Sequence, residues 1–321
     1  FHLLAKKDYR VDKHYQPKFQ EEYSAKIPAL TLLTSLGWTF LSPKQIMDYR
    51  GYKQDEVVLR PVLREELSKR SCMAGGKTCQ LSEKALDNLI SQVCSPALNE
   101  GLLKANERMY NHLLYGITVT EFVDGKKVNP TIALIDWEHP ENNQFHFTEE
   151  FTVLRSGGVE TRRPDIVCFV NGIPLAVIEA KSPAGHGKKG PTIDEGISQS
   201  IRNQLNDEIP QLFAYSQILL SINGHDGRYG TCHTPMKFWA AWREEDITYA
   251  QMYALRNHKL STEQIHALFD HRPSVDLKWY QQLIDGGELA VSGQDKLLIS
   301  LLSPERLLEM TRFFTLFDKK T

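Results

Sequence analysis

The stretch Arg163-Pro164-Asp165-Ile166-Val167-Cys168-Phe169-Val170-Asn171-Gly172-Ile173-Pro174-Leu175-Ala176-Val177-Ile178-Glu179-Ala180-Lys181-Ser182-Pro183 decides how the rest of the chain is read. Two apolar runs, 165–170 and 175–181, flank Asn171-Gly172, a pair that accepts the positive φ angles of a tight hairpin turn. Alternation along the second run places Leu175, Val177, Glu179 and Lys181 on one face and Ala176, Ile178 and Ala180 on the other. A strand this apolar belongs in the middle of a sheet. Placing Glu179 and Lys181 at its end is costly unless the charges have a purpose. Because the hairpin folds back, Asp165 at the start of the partner strand meets them, and three ionisable groups share one end of the sheet.

Such a grouping suits phosphodiester hydrolysis. Asp165 and Glu179 are hard oxygen ligands of the kind Mg²⁺ prefers, with Mn²⁺ as a substitute, and the Ala180 carbonyl is a further candidate ligand. A metal held there would acidify a bound water and neutralise phosphate charge. Lys181 would orient the attacking water or stabilise the transition state electrostatically. The bland alternative is a structural Glu-Lys pair with Asp165 capping a turn, and these residues alone leave it open.

Outward from this hairpin the pattern predicts an α/β protein: a mixed sheet flanked by helices, with a helical N-terminal part and a helical C-terminal connector. Helices are expected over 21–36 (kinked by Pro28 and stopped by Gly37), 56–70, 82–93 behind Ser82, and from Ser95-Pro96 to Leu114, where Gly116 stops the last. The period then changes to that of strands: 117–123 before the Asp124-Gly125 turn, 131–135 and 145–154. Beyond the core hairpin come a basic loop, 182–191, and a helix over 192–206. A helix after Pro210 and strands at 218–222 and 237–242 follow. From Ile247 onward the pattern is helical, and Ser303-Pro304 opens a last helix through Phe317.

Composition sets the class. The chain has 321 residues, 41% hydrophobic and 24% charged, with a net charge of -2, so any nucleic-acid contact must come from local patches. Five scattered cysteines without a C-x-x-C pair argue against zinc ribbons and disulfide frameworks and for reduced thiols in a cytoplasmic protein. No apolar run approaches the roughly 20 residues of a membrane span. A start at Phe1 rather than Met predicts a trimmed chain.

The core block resembles the nuclease core of the restriction (R) subunit of type I restriction-modification enzymes. The similarity continues in Ala105-Asn106-Glu107, Leu113-Leu114-Tyr115-Gly116, Ile135-Asp136-Trp137 and Pro140-Glu141-Asn142-Asn143-Gln144-Phe145. Downstream it includes Ile209-Pro210-Gln211-Leu212-Phe213, Ser221-Ile222-Asn223-Gly224 and 229–239, so it covers about residues 20–245. The resemblance implies a PD-(D/E)xK endonuclease domain over 1–250, with a helical lead-in, 1–115, and a catalytic core, 116–245. A connector, 251–321, would lead towards a helicase motor outside this chain. It further implies cleavage of double-stranded DNA coupled to ATP-driven translocation, ATP binding only in that motor, and methylation (M) and specificity (S) subunits as partners. A catalytically silent DNA-binding or docking module is the alternative.

The resemblance also suggests supporting residues. Glu22, or its neighbour Glu21, matches the extra acid that such nucleases carry on their first helix to complete the metal shell. Gln199 begins a Gln-x-x-x-Asn stretch where the family often has Gln-x-x-x-Tyr, so Asn203 departs from the pattern. Lys188 and Lys189, with His186 beside them, and Arg162, Arg163 and Arg202 are candidate phosphate contacts. Gly75-Gly76-Lys77-Thr78 looks like the tail of a nucleotide-binding loop, but Ser71 stands where its first glycine belongs and a helix precedes it. His225 and His233 lack metal-ligand spacing and read as ordinary residues.

Overall fold

A computed structural model describes residues 21–74, 77–183 and 192–317. Its centre is a six-stranded mixed sheet in which spatial order follows chain order. The strands are β1 (Thr39–Phe40), β2 (Phe145–Glu149), β3 (Ile166–Val170), β4 (Ile173–Ala180), β5 (Ile218–Ile222) and β6 (Gly227–Gly230). The β1–β2 and β4–β5 pairs are parallel, and the other three are antiparallel. Every residue of β3 and β4 is buried, as their unbroken apolar character requires of central strands.

The β3–β4 turn has Asn171 at φ 52° and Gly172 at φ 80°. Leu59 donates its N–H to the Gly172 carbonyl, and a Cβ on Gly172 would lie 2.6 Å from the Leu59 oxygen, so only glycine admits this approach. Strand β4 begins at Ile173 rather than at Leu175. The register pairs Ile166 with Ile178 and Cys168 with Ala176, then shifts by one residue before Phe169 meets Pro174. This bulge absorbs one extra residue near the turn and leaves the alternation at the Glu179 end of β4 intact.

The N-terminal helix differs from a single kinked helix over 21–36. A π-helical turn, Glu22–Lys26, precedes α1 (Ile27–Ser35), and Ile27 bonds back to the Glu22 carbonyl. Pro28, with no N–H, sits in the first turn of α1, where the missing donor costs least. Gly37 ends the helix at φ 96°.

Then come α2 (Pro43–Tyr49) and α3 (Arg60–Ser68), the latter shorter than the expected 56–70 because Leu59 is committed to the hairpin turn. Ser82 caps α4 (Glu83–Val93) as expected, accepting the Ala85 N–H. Helix α5 (Leu102–Tyr115) starts after Gly101, at φ 92°, and not at Ser95-Pro96, and Gly116 terminates it. Gly75 and Gly76 lie outside the described residues; the stretch directly before them is a strand, Ser71–Ala74, rather than the expected helix, and Lys77 opens its partner strand, Lys77–Gln80, rather than the helix a nucleotide-binding loop requires.

Other strand predictions are corrected in detail. Residues 117–123 divide into Ile117–Thr118 and Glu121–Val123, and the run 145–154 is broken at Glu150, whose φ is 52°. In place of a strand at 237–242 there is a short 3-10 turn, Met236–Phe238, and one bridge between Tyr229 and Ala240. The edge strands are β1 and β6, and in β6 Gly230 makes room for the Trp239 ring.

Helices α6 (Thr192–Asn203) and α7 (Pro210–Phe213) complete the core. Five further helices follow: α8 (Tyr249–Arg256), α9 (Thr262–Phe269), α10 (Ser274–Asp285), α11 (Gly293–Leu302) and α12 (Pro304–Phe313), the last ending before Phe317. They pack back on the N-terminal part: Trp38 donates to the Leu302 carbonyl at 2.7 Å, and the Gln294 amide bridges the Ala25 carbonyl and the Gly224 N–H. Among the described residues no helix is long and apolar enough to cross a membrane.

Candidate active site

Strand β4 ends with Glu179 fully buried, and the antiparallel register brings Asp165 beside it. Asp165 Oδ2 accepts the Ala180 N–H at 2.8 Å, which ties this carboxylate to the backbone of the opposite strand. Lys181 lies at the centre of the cluster. Its ammonium donates to the Ala180 carbonyl at 2.7 Å and stands 3.5 Å from Asp165 and 3.9 Å from Glu179 and from Glu21. The three core residues predicted to converge therefore do so.

Burial, then the neighbouring Asp165 charge, pushes the Glu179 carboxyl well above the ordinary carboxylate range, against an opposing pull from Lys181. Gln199 on α6 donates to Glu179 Oε2 at 2.7 Å, whereas the buried Oε1 has no hydrogen-bond partner. A buried carboxylate oxygen without a partner is expensive unless it meets a proton or a cation. Glu21 is also pushed upward, mainly by burial, with Lys181 acting against the shift.

These residues fit a hard divalent cation. Asp165, Glu179 and the Ala180 carbonyl supply oxygen donors at one point, and Mg²⁺ commonly takes one or two carboxylates and keeps several waters. Among the described residues no three His, Cys, Asp or Glu side chains form a fuller metal cage. In the observed arrangement the Lys181 ammonium is the cation these oxygens share.

The first-helix acids separate clearly. Glu21 is directed towards Lys181, whereas Glu22 is bound by Arg272 and lies 3.6 Å from Lys26. Arg163 pairs with Glu150 at the surface. Arg162 forks onto Glu208, and Arg202 lies 3.3 Å from the Asn203 amide oxygen. Asn203 itself is fully buried. Lys188, Lys189 and His186 fall outside the described residues. None of the five cysteines forms a disulfide.

Two contributors escaped the sequence analysis. Gly196 lets α6 lie close to the site: a Cβ there would come 2.3 Å from Ser221 Oγ and 3.4 Å from Lys181 Cγ. A glycine inside a helix is a visible signal of close approach. Arg272 is the other, and nothing local distinguishes it from the chain's other arginines.

Comparison with known proteins gives a consistent picture. The model of the family described as type I restriction enzyme R protein N terminus matches residues 18–238. The chain is 28% identical over 302 residues to the type I restriction enzyme HindI endonuclease subunit of Haemophilus influenzae, covering 91% of this chain and 24% of that protein. It is 23% identical over 310 residues to a Methanocaldococcus jannaschii protein named as the MjaIXP endonuclease subunit, covering 94% and 26%. Identity is 28% over 134 residues with the type I restriction enzyme EcoprrI endonuclease subunit of Escherichia coli, covering 41% and 38%. The chain thus spans about a quarter of the length of the first two relatives.

Proposed function

The chain belongs to the type I restriction enzyme R protein N-terminal family, and from that premise we propose that it is the nuclease portion of such a subunit, hydrolysing phosphodiester bonds of double-stranded DNA with Mg²⁺. The observation that carries this reading is the buried Glu179, with one unpartnered oxygen, beside Asp165 and Lys181 at one sheet end.

Asp165 and Glu179 would hold the metal with the Ala180 carbonyl, and Glu21 rather than Glu22 would be the supporting acid. When bound, Mg²⁺ supplies an acidified water and charge neutralisation at the phosphate. Gln199 keeps Glu179 Oε2 engaged, so that Oε1 is the oxygen left for a ligand. Lys181 is a fixed positive charge for the developing negative charge on phosphate, a role of preorganised electrostatics. Since β4 is buried along its whole length, Glu179 and the Ala180 carbonyl stand on a rigid element, as a preorganised site requires. By the same reading, the full-length protein couples cleavage to ATP-driven translocation and assembles with methylation and specificity subunits.

The test has two arms. Mn²⁺ titrated calorimetrically into the chain should bind, and Asp165→Ala should abolish that binding. Lys181→Ala in the assembled enzyme should reduce DNA cleavage by about 10²–10³-fold, the usual cost of losing one transition-state donor. Equal metal binding in wild type and Asp165→Ala would sink the reading.

A further inference from the structure

A second charged cluster lies beside the nuclease site, and its members come from opposite ends of the chain. Arg272, between α9 and α10, binds Glu22 and Glu149 through its two terminal nitrogens and stands 3.4 Å from Asp276. His271 reaches the other Glu149 oxygen at 2.7 Å. Lys26 pairs with Glu150 and lies 3.8 Å from Glu149. Tyr23 donates to Asp276 at 2.7 Å. The side chains of Lys26, Glu149, Arg272 and Asp276 are all at least nine-tenths buried.

This cluster touches the site through chain neighbours at two points. Glu22 is next to Glu21, the acid that faces Lys181. Glu150 donates its N–H to the Asp165 carbonyl at 2.9 Å, and Phe151 donates to Pro164 at 3.1 Å. The π-turn Glu22–Lys26 that presents Glu21 is itself a poor geometry to leave unsupported, and such turns are rare and often functional. Its anchors come from the C-terminal part: Arg272, in the α9–α10 link, on Glu22, Asp276 on Tyr23 and Gln294 on the Ala25 carbonyl.

We propose that Arg272 is a positioning residue of the nuclease site. By gripping Glu22 and Glu149 together it fixes the π-turn against the end of β2, and so holds the Glu21 carboxylate towards Lys181 and the Asp165 strand in place. Only arginine presents two donor edges in a rigid plane, which suits it to two carboxylates at once. The C-terminal helices are thereby coupled to the site: displacing α9 and α10 releases the turn that carries Glu21. The inference rests on the nuclease reading for its consequence, though not for the clamp itself.

Amide hydrogen exchange and Mn²⁺ calorimetry on the chain test the two parts separately. In Arg272→Gln, exchange at residues 22–27 should rise while that of α4 stays unchanged, and Mn²⁺ affinity should fall about tenfold, the usual scale for losing a residue behind a metal ligand. Arg272→Lys should recover part of the loss. In a Glu21→Gln background Arg272→Gln should cost less metal affinity than it does in wild type, because only the route through the Asp165 strand remains, an outcome that general destabilisation would not produce. Should Arg272→Gln fail to fold, Tyr23→Phe loosens the same turn and should shift both readouts in the same direction. Unchanged exchange at 22–27 overturns the clamp whatever the metal does. Equal Mn²⁺ affinity in wild type and folded Arg272→Gln overturns its link to the site. Absence of Mn²⁺ binding in wild type overturns the nuclease reading and the consequence built on it.

Discussion

Glu179 and Glu149 end neighbouring parts of the same sheet, and both are buried, yet their surroundings are opposite. Glu149 is saturated: Arg272 and His271 bind its two oxygens, Lys26 is close by, and its carboxyl is held below the ordinary range despite burial. Glu179 has one partnered oxygen, one bare oxygen and a second carboxylate beside it, and burial drives its carboxyl upward. A buried acid with its cations already in place is structural. One left short of positive charge is a place for a ligand, with the shortfall itself as the driving force for binding.

The contrast can be broken by mutation. Removing the saturated acid should be the larger effect: Glu149→Ala takes the shared carboxylate from buried Arg272 and Lys26 and from His271, leaving Arg272 with Glu22 and Asp276 alone, and should lower the free energy of unfolding by about 3 kcal/mol, read from urea denaturation. Glu179→Gln should do the reverse in metal-free protein at pH values where the wild-type carboxyl is ionised, raising stability by ~1 kcal/mol because the desolvation cost of a charge disappears. A loss of stability instead would mean that Glu179 is already compensated, and the comparison would fail.

Acid should sharpen it with opposite signs. The Glu149 carboxyl is depressed, so its contribution is present above the ordinary carboxylate pKa of 4.5 and is lost as pH falls through its lower folded value. Glu179 is raised, so its protonated form favours the fold at low pH, and that advantage is lost as pH rises through the folded value. Unfolding of the two variants measured across pH should therefore show the Glu149→Ala penalty greatest near neutrality and fading in acid. The Glu179→Gln benefit should also fade in acid, where wild type is itself protonated. The smallest effect belongs to the exposed Arg163, which pairs with the half-buried Glu150: Arg163→Ala should change stability by no more than about 0.5 kcal/mol.

What could be read locally follows from short-range rules. Asn171-Gly172 set a tight turn, alternation assigned Glu179 and Lys181 to one face, and Ser82 announced α4 through its cap. The failures have equally definite causes. Helix α3 starts late because Leu59 is claimed by a turn more than a hundred residues away. The run 145–154 breaks because Glu150 takes a left-handed conformation, and the strand expected at 237–242 gives way to a turn whose Trp239 packs on Gly230.

By itself the sequence determined the hairpin, and with it the meeting of Asp165, Glu179 and Lys181, because a period of two and a tight turn leave little freedom in register. Tertiary structure alone decided which first-helix acid faces the site. Adjacent glutamates in a helical turn point in different directions, and the choice fell to Arg272, 250 residues away from Glu22. It also decided that both oxygens of Glu149 meet basic side chains whereas Glu179 keeps one oxygen without a partner. The charge state of a buried carboxylate depends on the cations packed against it, and those arrive from parts of the chain that no local pattern connects.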